Sequence, residues 1–536
     1  MRTFLQPVLH ACVLSLLLAG TAAAQPASHP LDPLSPEEIR AASSALHARP
    51  DFPKSAAFAI VALNDPPKQE ILKYRGGSSF IRQVFTIIYD REKNKTFEAL
   101  VNVKDPKKPK VDSWKEIAGV QPMVLEEDGD IIDEVLREHE GWIAAVKARG
   151  LEPDDVAIDY WAVGTVPEQY RGRRLLRGLT YFQGAAANFY GQPVEGITAL
   201  VDLNTREVLE LTDAPKTPLP PPGQDFDEAS IRESLGKLRV PPRPLSITQP
   251  EGPSFEVRGN EVSWQKWRFR YLMHPREGLV LYLVTYDDPE GKPQPVLYRA
   301  SFSEMAVPYG DPAGTWNWRC AFDVGEYGVG KSSGTIVPKL DAPENAVLFN
   351  AVFANDYGRP VVYPDVVGMY ERDGGLLWKH REWGGDQWNN ESRRGRELVV
   401  FTIATVGNYD YSINWIFRQD GAIHVESGLT GIMLPKATVQ ETHSHDENGH
   451  LVSRRVIAPH HQHILNFRLD FDIYGTGNSV AEMNTRSMPP GPDNPAGTAM
   501  VMEEKVLPRE KDAQRDMSMA DARTWRVLNP TQKNSL

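Results

Sequence analysis

The chain has 536 residues, 41% of them hydrophobic and 24% charged, and a net charge of −12. This composition excludes a disordered or collagen-like chain, and the length suits about three or four domains. The acidic balance, with no basic stripe, excludes an ordinary nucleic-acid binder.

The N-terminus reads as an export signal. Arg2 supplies a positive start, Val13 to Ala19 a short apolar run, and Thr21-Ala22-Ala23-Ala24 a small-residue cleavage site before Gln25. A periplasmic or secreted protein cleaved after Ala24 is expected. No later stretch approaches about 18 unbroken apolar residues, so no membrane span is expected. Of the two cysteines, Cys12 leaves with the signal. Cys320 then has no disulfide partner in the chain and reads as a buried, inert thiol.

A first small α+β domain is expected over residues 25–110. Ser35-Pro36-Glu37-Glu38 has the pattern of a capping box with proline in the first turn, and a helix through His47 should follow. Strand-like runs come next at Ala56 to Leu63, Glu70 to Tyr74, Gln83 to Tyr89 and Thr96 to Val103. Residues 111–214 repeat the order. Apolar residues from Ile131 to Val146 recur at helical spacing, Gly150 closes the helix, and strands follow at Val156, Leu175, Gly196 and Val208. A proline-rich linker occupies 215–240. From 241 to 536 strand runs dominate, and a large β-sandwich is expected.

Six of the 13 histidines lie between His443 and His463. His461 and His463 share one face of a strand with Leu465, Phe467, Leu469, Phe471 and Ile473, so both point to the core side. Such a pair is either a metal half-site or two hydrogen-bonded core histidines. His443 and His445 stand in a polar loop and read as solvated. In Gly407-Asn408-Tyr409-Asp410-Tyr411 the odd positions should face inward, through Ile413, Trp415 and Phe417. On spacing alone Tyr409 is a core tyrosine and Asp323 a carboxylate capping a turn.

Together these stretches resemble the copper amine oxidases. Asn408-Tyr409-Asp410-Tyr411 is similar to the family's quinone-forming motif, and His461-Gln462-His463 with Asn466 to Asp470 to its copper strand. Val307 to Pro312 and Phe322 to Gly328 are similar to the active-site stretch upstream. The resemblance covers nearly all of the mature chain. It implies two small cystatin-like domains (N2-like and N3-like) before an all-β super-sandwich. It further implies oxidation of primary amines by O₂ to aldehyde, ammonia and hydrogen peroxide in a homodimer, with no nucleic-acid or membrane partner.

Residue by residue, the resemblance makes Tyr409 the topaquinone precursor, Asp323 the base, and Tyr309 the residue that orients the quinone. Asn408 and Asp410 would pack around the quinone. His461 and His463 would bind copper(II), and Asp470, the carbonyl of Phe471 and Asp472 would bind calcium. The family's third copper histidine lies downstream of the pair, whereas this sequence has no histidine after His463. The expectation is therefore a catalytic domain incomplete at its C-terminus. An alternative is a relative that binds copper or amines without turnover.

Overall fold

The computed structural model describes residues 27–223, 225–382, 389–442 and 447–533. The export signal, Cys12, His443 and His445 lie outside the described residues. Among those described, no helix is long and apolar enough to cross a membrane.

The first unit packs helix α1 (Pro36–His47) on an antiparallel sheet of β1 (Ala56–Leu63), β2 (Gln83–Asp90), β3 (Lys95–Asn102) and β4 (Lys110–Ile117). The capping box forms as read. Glu38 N–H donates to Ser35 Oγ at 3.2 Å, and Ser35 N–H donates to Glu38 Oε2 at 2.8 Å. Two expectations change. Strand β4 pairs with β3, so the first sheet runs past residue 110. The strand expected at Glu70 to Tyr74 is instead helix α2 (Lys68–Lys73). Pro67 opens that turn, and Lys, Gln, Glu and Leu favour helix over strand.

The second unit places α3 (Glu126–Glu138) and α4 (Glu140–Lys147) on a sheet of β5 (Val156–Ala162), β6 (Leu175–Phe182), β7 (Pro193–Asp202) and β8 (Glu207–Asp213). One helix was expected from Ile131 to Val146. It breaks at His139, whose extended backbone and ring Nδ1 cap the N-terminus of α4, accepting from Trp142 N–H at 3.1 Å. Short helix α5 (Glu228–Leu235) lies in the connecting segment.

The third unit is all-β, as expected. Strands β9 (Glu256–Arg258), β10 (Glu261–Trp264), β11 (Trp267–His274), β12 (Gly278–Asp287), β13 (Pro293–Pro308) and β14 (Cys320–Phe322) form one sheet. Helix α6 (Asp323–Glu326) follows directly. A second sheet holds β15 (Val347–Ala354), β16 (Pro360–Arg381), β17 (Asn390–Val406), β18 (Tyr409–Arg418) and β19 (Ile423–Gly431). Side chains from both sheets, among them Trp264, Trp267, Phe269, Val400, Trp415 and Phe417, fill one buried core. This is the sandwich packing that two half-apolar sheets require.

The remaining strands are β20 (Lys436–Ala437), β21 (Gly449–Ser453), β22 (Val456–Pro459), β23 (Ile464–Phe471), β24 (Ser479–Ser487), β25 (Met500–Leu507) and β26 (Thr524–Leu528). Of these, β23 joins the first large sheet by pairing with β13.

Buried ions tie the small units together. Asp128 of α3 is fully buried between Arg91 Nη1 at 2.8 Å, from the β2–β3 turn, and Arg174. Arg174 also donates to the Met123 carbonyl at 2.7 Å. Asp128→Asn leaves the buried Arg174 guanidinium and the partly buried Arg91 short of their counter-charge. It should destabilise the protein by about 3–5 kcal/mol, read as a lowered thermal unfolding midpoint.

Candidate active site

Four segments converge beside the second small unit. The β17–β18 hairpin closes with a two-residue turn, because Val406 pairs directly with Tyr409. Gly407 takes φ 58°, a left-handed conformation that favours glycine, and this places Tyr409 as the first residue of β18. Its neighbours brace the turn. Asn408 is buried and donates from Nδ2 to the Ile432 carbonyl at 2.6 Å, and Asp410 accepts from Thr405 Oγ1 at 2.6 Å.

Strand β13 ends at Pro308, and the next residue, Tyr309, forms an isolated bridge with His461. The Tyr309 ring stacks on the His461 ring, with centroids 4.6 Å apart and planes 18° apart. His461 Nδ1 lies 2.9 Å from the Pro459 carbonyl, which can only accept, so Nδ1 carries the proton. His461 Nε2 is then an acceptor, 2.9 Å from Tyr409 Oη. The His463 ring is 5.1 Å from that of His461. Burial, with the neighbouring His461, lowers its pKa to about 4, so it is neutral at physiological pH.

Asp323 opens α6 immediately after β14. It is buried and accepts from Tyr411 Oη at 3.1 Å. Tyr411 Oη also lies 3.4 Å from His463 Nδ1, linking the carboxylate to the imidazole pair. Burial raises the Asp323 pKa to about 7. Tyr411 opposes the shift, and Glu326 and Glu304 add to it. Burial likewise lifts Glu326 to about 7. Glu304 Oε1 accepts from the N–H groups of Val324 and Gly325, both at 3.1 Å, and so fixes the turn that presents Asp323.

A cavity of about 130 Å³ is lined by Asp323, Tyr309, Asn408, Tyr409, Tyr411 and Tyr327, and on its far side by Asp159, Tyr160 and Trp161 of β5. The far wall is docked by Ala162 N–H, which donates to Tyr327 Oη at 3.0 Å. Asp159 accepts from Trp161 Nε1 at 2.9 Å, and burial raises its pKa to about 6. This wall was missed in the sequence. A single Asp in Val156 to Ala162 carries no pattern that marks it as part of a site over 150 residues away.

The structure therefore brings Tyr309, Asp323, Asn408, Tyr409, His461 and His463 together. Two expectations change. Asp410 does not line the cavity, because alternation along β18 turns it away from the face of Tyr409 and Tyr411. Asp470 and Asp472 do not form an open calcium site, because the Lys68 ammonium sits on both, at 2.8 and 2.6 Å. The core-facing pattern of β23 also breaks. Leu469 is 42% exposed and Asp472 only 2%, because β23 pairs with β13 alone and its far edge is uncovered.

The model of the copper amine oxidase enzyme domain matches residues 256–536, and those of the family's N3 and N2 domains match 127–228 and 29–117. The chain belongs to the copper amine oxidase family. It is 36% identical over 520 residues to a histamine oxidase of Arthrobacter globiformis, covering 95% of this chain and 73% of that one. A primary amine oxidase of Klebsiella aerogenes is 31% identical, with 95% and 66% covered. The crystal structure of a copper-containing benzylamine oxidase from Hansenula polymorpha superposes with a TM-score of 0.84 at 28% identity, over 94% of this chain and 80% of that one.

Copper amine oxidases use copper and topaquinone, and the residues present fit both. The neutral imidazole of His463 beside that of His461, whose Nε2 faces Tyr409 Oη, suits copper. Among the described residues no group of three or more His, Cys, Asp or Glu gathers as a metal site. Tyr309 Oη is buried without a hydrogen-bond partner among the described residues, which suits an oxygen added to the neighbouring ring.

The raised Asp323 pKa has a stability consequence. Between about pH 4 and 7 folded Asp323 holds a proton that the unfolded chain releases, so this contribution is present at low pH and lost as pH rises through about 7. Asp323→Asn should flatten the fall in thermal midpoint across that window, and adding Glu326→Gln should flatten it further.

Proposed function

We propose that this copper amine oxidase deaminates small primary amines, with Asp323 as the base, Tyr409 as the topaquinone precursor, Tyr309 as its orienting partner, and His461 and His463 as copper ligands. The observation that carries the reading is that Asp323 and Tyr409 line one cavity while the His461–His463 pair stands directly behind it, within hydrogen-bond reach of Tyr409 and Tyr411.

Topaquinone with copper supplies a carbonyl that captures the amine and an electron store that O₂ empties. The protein supplies position and proton chemistry. Asp323 Oδ2 accepts from Tyr411, which leaves Oδ1 to take the proton from the carbon beside the amine nitrogen. A carboxyl with a pKa of about 7 is ionised above neutrality yet basic enough to remove that proton. Tyr309 holds the ring's orientation, and its phenol stays protonated because burial pushes its pKa well up. The aromatic walls from Trp161, Tyr160 and Tyr327 exclude water and suit a short aryl-alkyl amine such as phenylethylamine.

The organisation proposed is an N2-like unit, an N3-like unit and a catalytic β domain, working as a homodimer. Exposed Leu376, Leu377 and Trp378 on the β16–β17 hairpin support a second copy as the cover for that arm. Export with cleavage after Ala24 rests on the N-terminal sequence pattern and is checked by N-terminal sequencing of the mature protein.

The chain, loaded aerobically with copper and titrated with phenylhydrazine, should give one coloured adduct per chain, and Tyr409→Phe should give none. Absence of the adduct in the unaltered chain overturns the precursor assignment. Asp323→Asn should lower kcat/KM for phenylethylamine about 10²–10⁴-fold. In the unaltered enzyme kcat/KM should rise with pH through about 7 as Asp323 ionises.

A further inference from the structure

Lys68 stands in the first turn of α2, in the first small unit, yet its ammonium reaches the end of β23 in the catalytic domain. Nζ donates to Asp470 Oδ1 at 2.8 Å and to Asp472 Oδ1 at 2.6 Å. It also sits 4.8 Å from the centroid of the Tyr298 ring, a cation–π contact. The Asp472 side chain is 3% exposed, and that of Lys68 is 25% exposed.

This is not a swinging surface lysine. Pro66 and Pro67 stiffen its approach. Just before them, Asp65 accepts from Tyr282 Oη at 2.7 Å and pairs with Arg299 at 3.6 Å. Burial works against a charge on Lys68, but the two carboxylates more than offset it and hold its pKa above the ordinary lysine value.

The two aspartates are those to which the family resemblance assigns calcium, and their setting does not fit that ion. Calcium needs about six to eight oxygens at roughly 2.3–2.6 Å. Here one oxygen of each carboxylate already faces a tethered cation, and calcium could enter only by displacing that cation. We infer that the Lys68 ammonium is the built-in cation of this site, bracing the first small unit against β23 in place of calcium. The brace acts on the strand whose opposite end carries His461 and His463.

The test uses the full chain after a chelator wash, probed with calcium and with terbium, whose emission Tyr298 would sensitise. Unaltered protein should retain no calcium above background and show no terbium emission. Its thermal midpoint should be the same in EGTA as in millimolar calcium. Lys68→Met should melt lower in EGTA, recover with calcium, and acquire terbium emission that a further Asp472→Asn removes. One retained calcium per chain in the unaltered protein, lost in Asp470→Asn, would overturn the inference. So would a folded Lys68→Met that takes up neither ion. If Lys68→Met does not fold, the calcium content and EGTA response of the unaltered protein still decide. No readout depends on amine turnover, so failure here is distinguishable from failure of the oxidase reading.

Discussion

Hydrogen bonding along both edges of β13 sets the geometry of the site. One edge pairs with β12 as far as Ser301 and then with β14 from Ala306 to Pro308, while the other carries β23 from Leu297 to Ala306. The last turn of that ladder puts Tyr309 against His461 and sends the chain through β14 into Asp323. Register is what makes this work. A slip of one residue would exchange the two faces of β23 and carry the imidazoles away from Tyr409.

Dryness does the rest. The cavity is walled on one side by the β17–β18 turn and on the other by β5 of the second small unit, and the ionisable groups in and behind those walls are judged against a poor solvent. Asp323 and Glu326 hold their protons to about pH 7, and His463 loses its proton by about pH 4. The same burial raises a carboxyl and lowers an imidazole within one site. The second small unit is thus part of the cavity and not an appendage, since Asp159 and Trp161 line its wall and Ala162 N–H docks it on Tyr327.

Charge also joins the units. Asp128 with Arg91 and Arg174 bridges the two small units, and Lys68 with Asp470 and Asp472 joins the first small unit to the β domain. Buried pairs of this kind add less to stability than apolar packing would, but a missing partner is costly. They therefore specify how the units dock more than how tightly each one folds.

The sequence by itself determined most local elements and marked the residues that meet at the candidate site. The Ser35–Glu38 cap, the inward row from Tyr411 to Phe417 and the paired histidines each follow from rules that act within a few residues. The family motif lies in those same short stretches. Only the tertiary structure decided the far wall at Asp159 and Trp161 and the place of Lys68 on Asp470 and Asp472. Those contacts join residues over 150, and in the last case over 400, positions apart. No periodicity encodes them, because they arise from where separately folded faces come to rest. The split of the helix at His139 falls between the two. Its cause is local, a ring nitrogen capping the next turn, but the apolar spacing runs straight through it and gave no sign of the break.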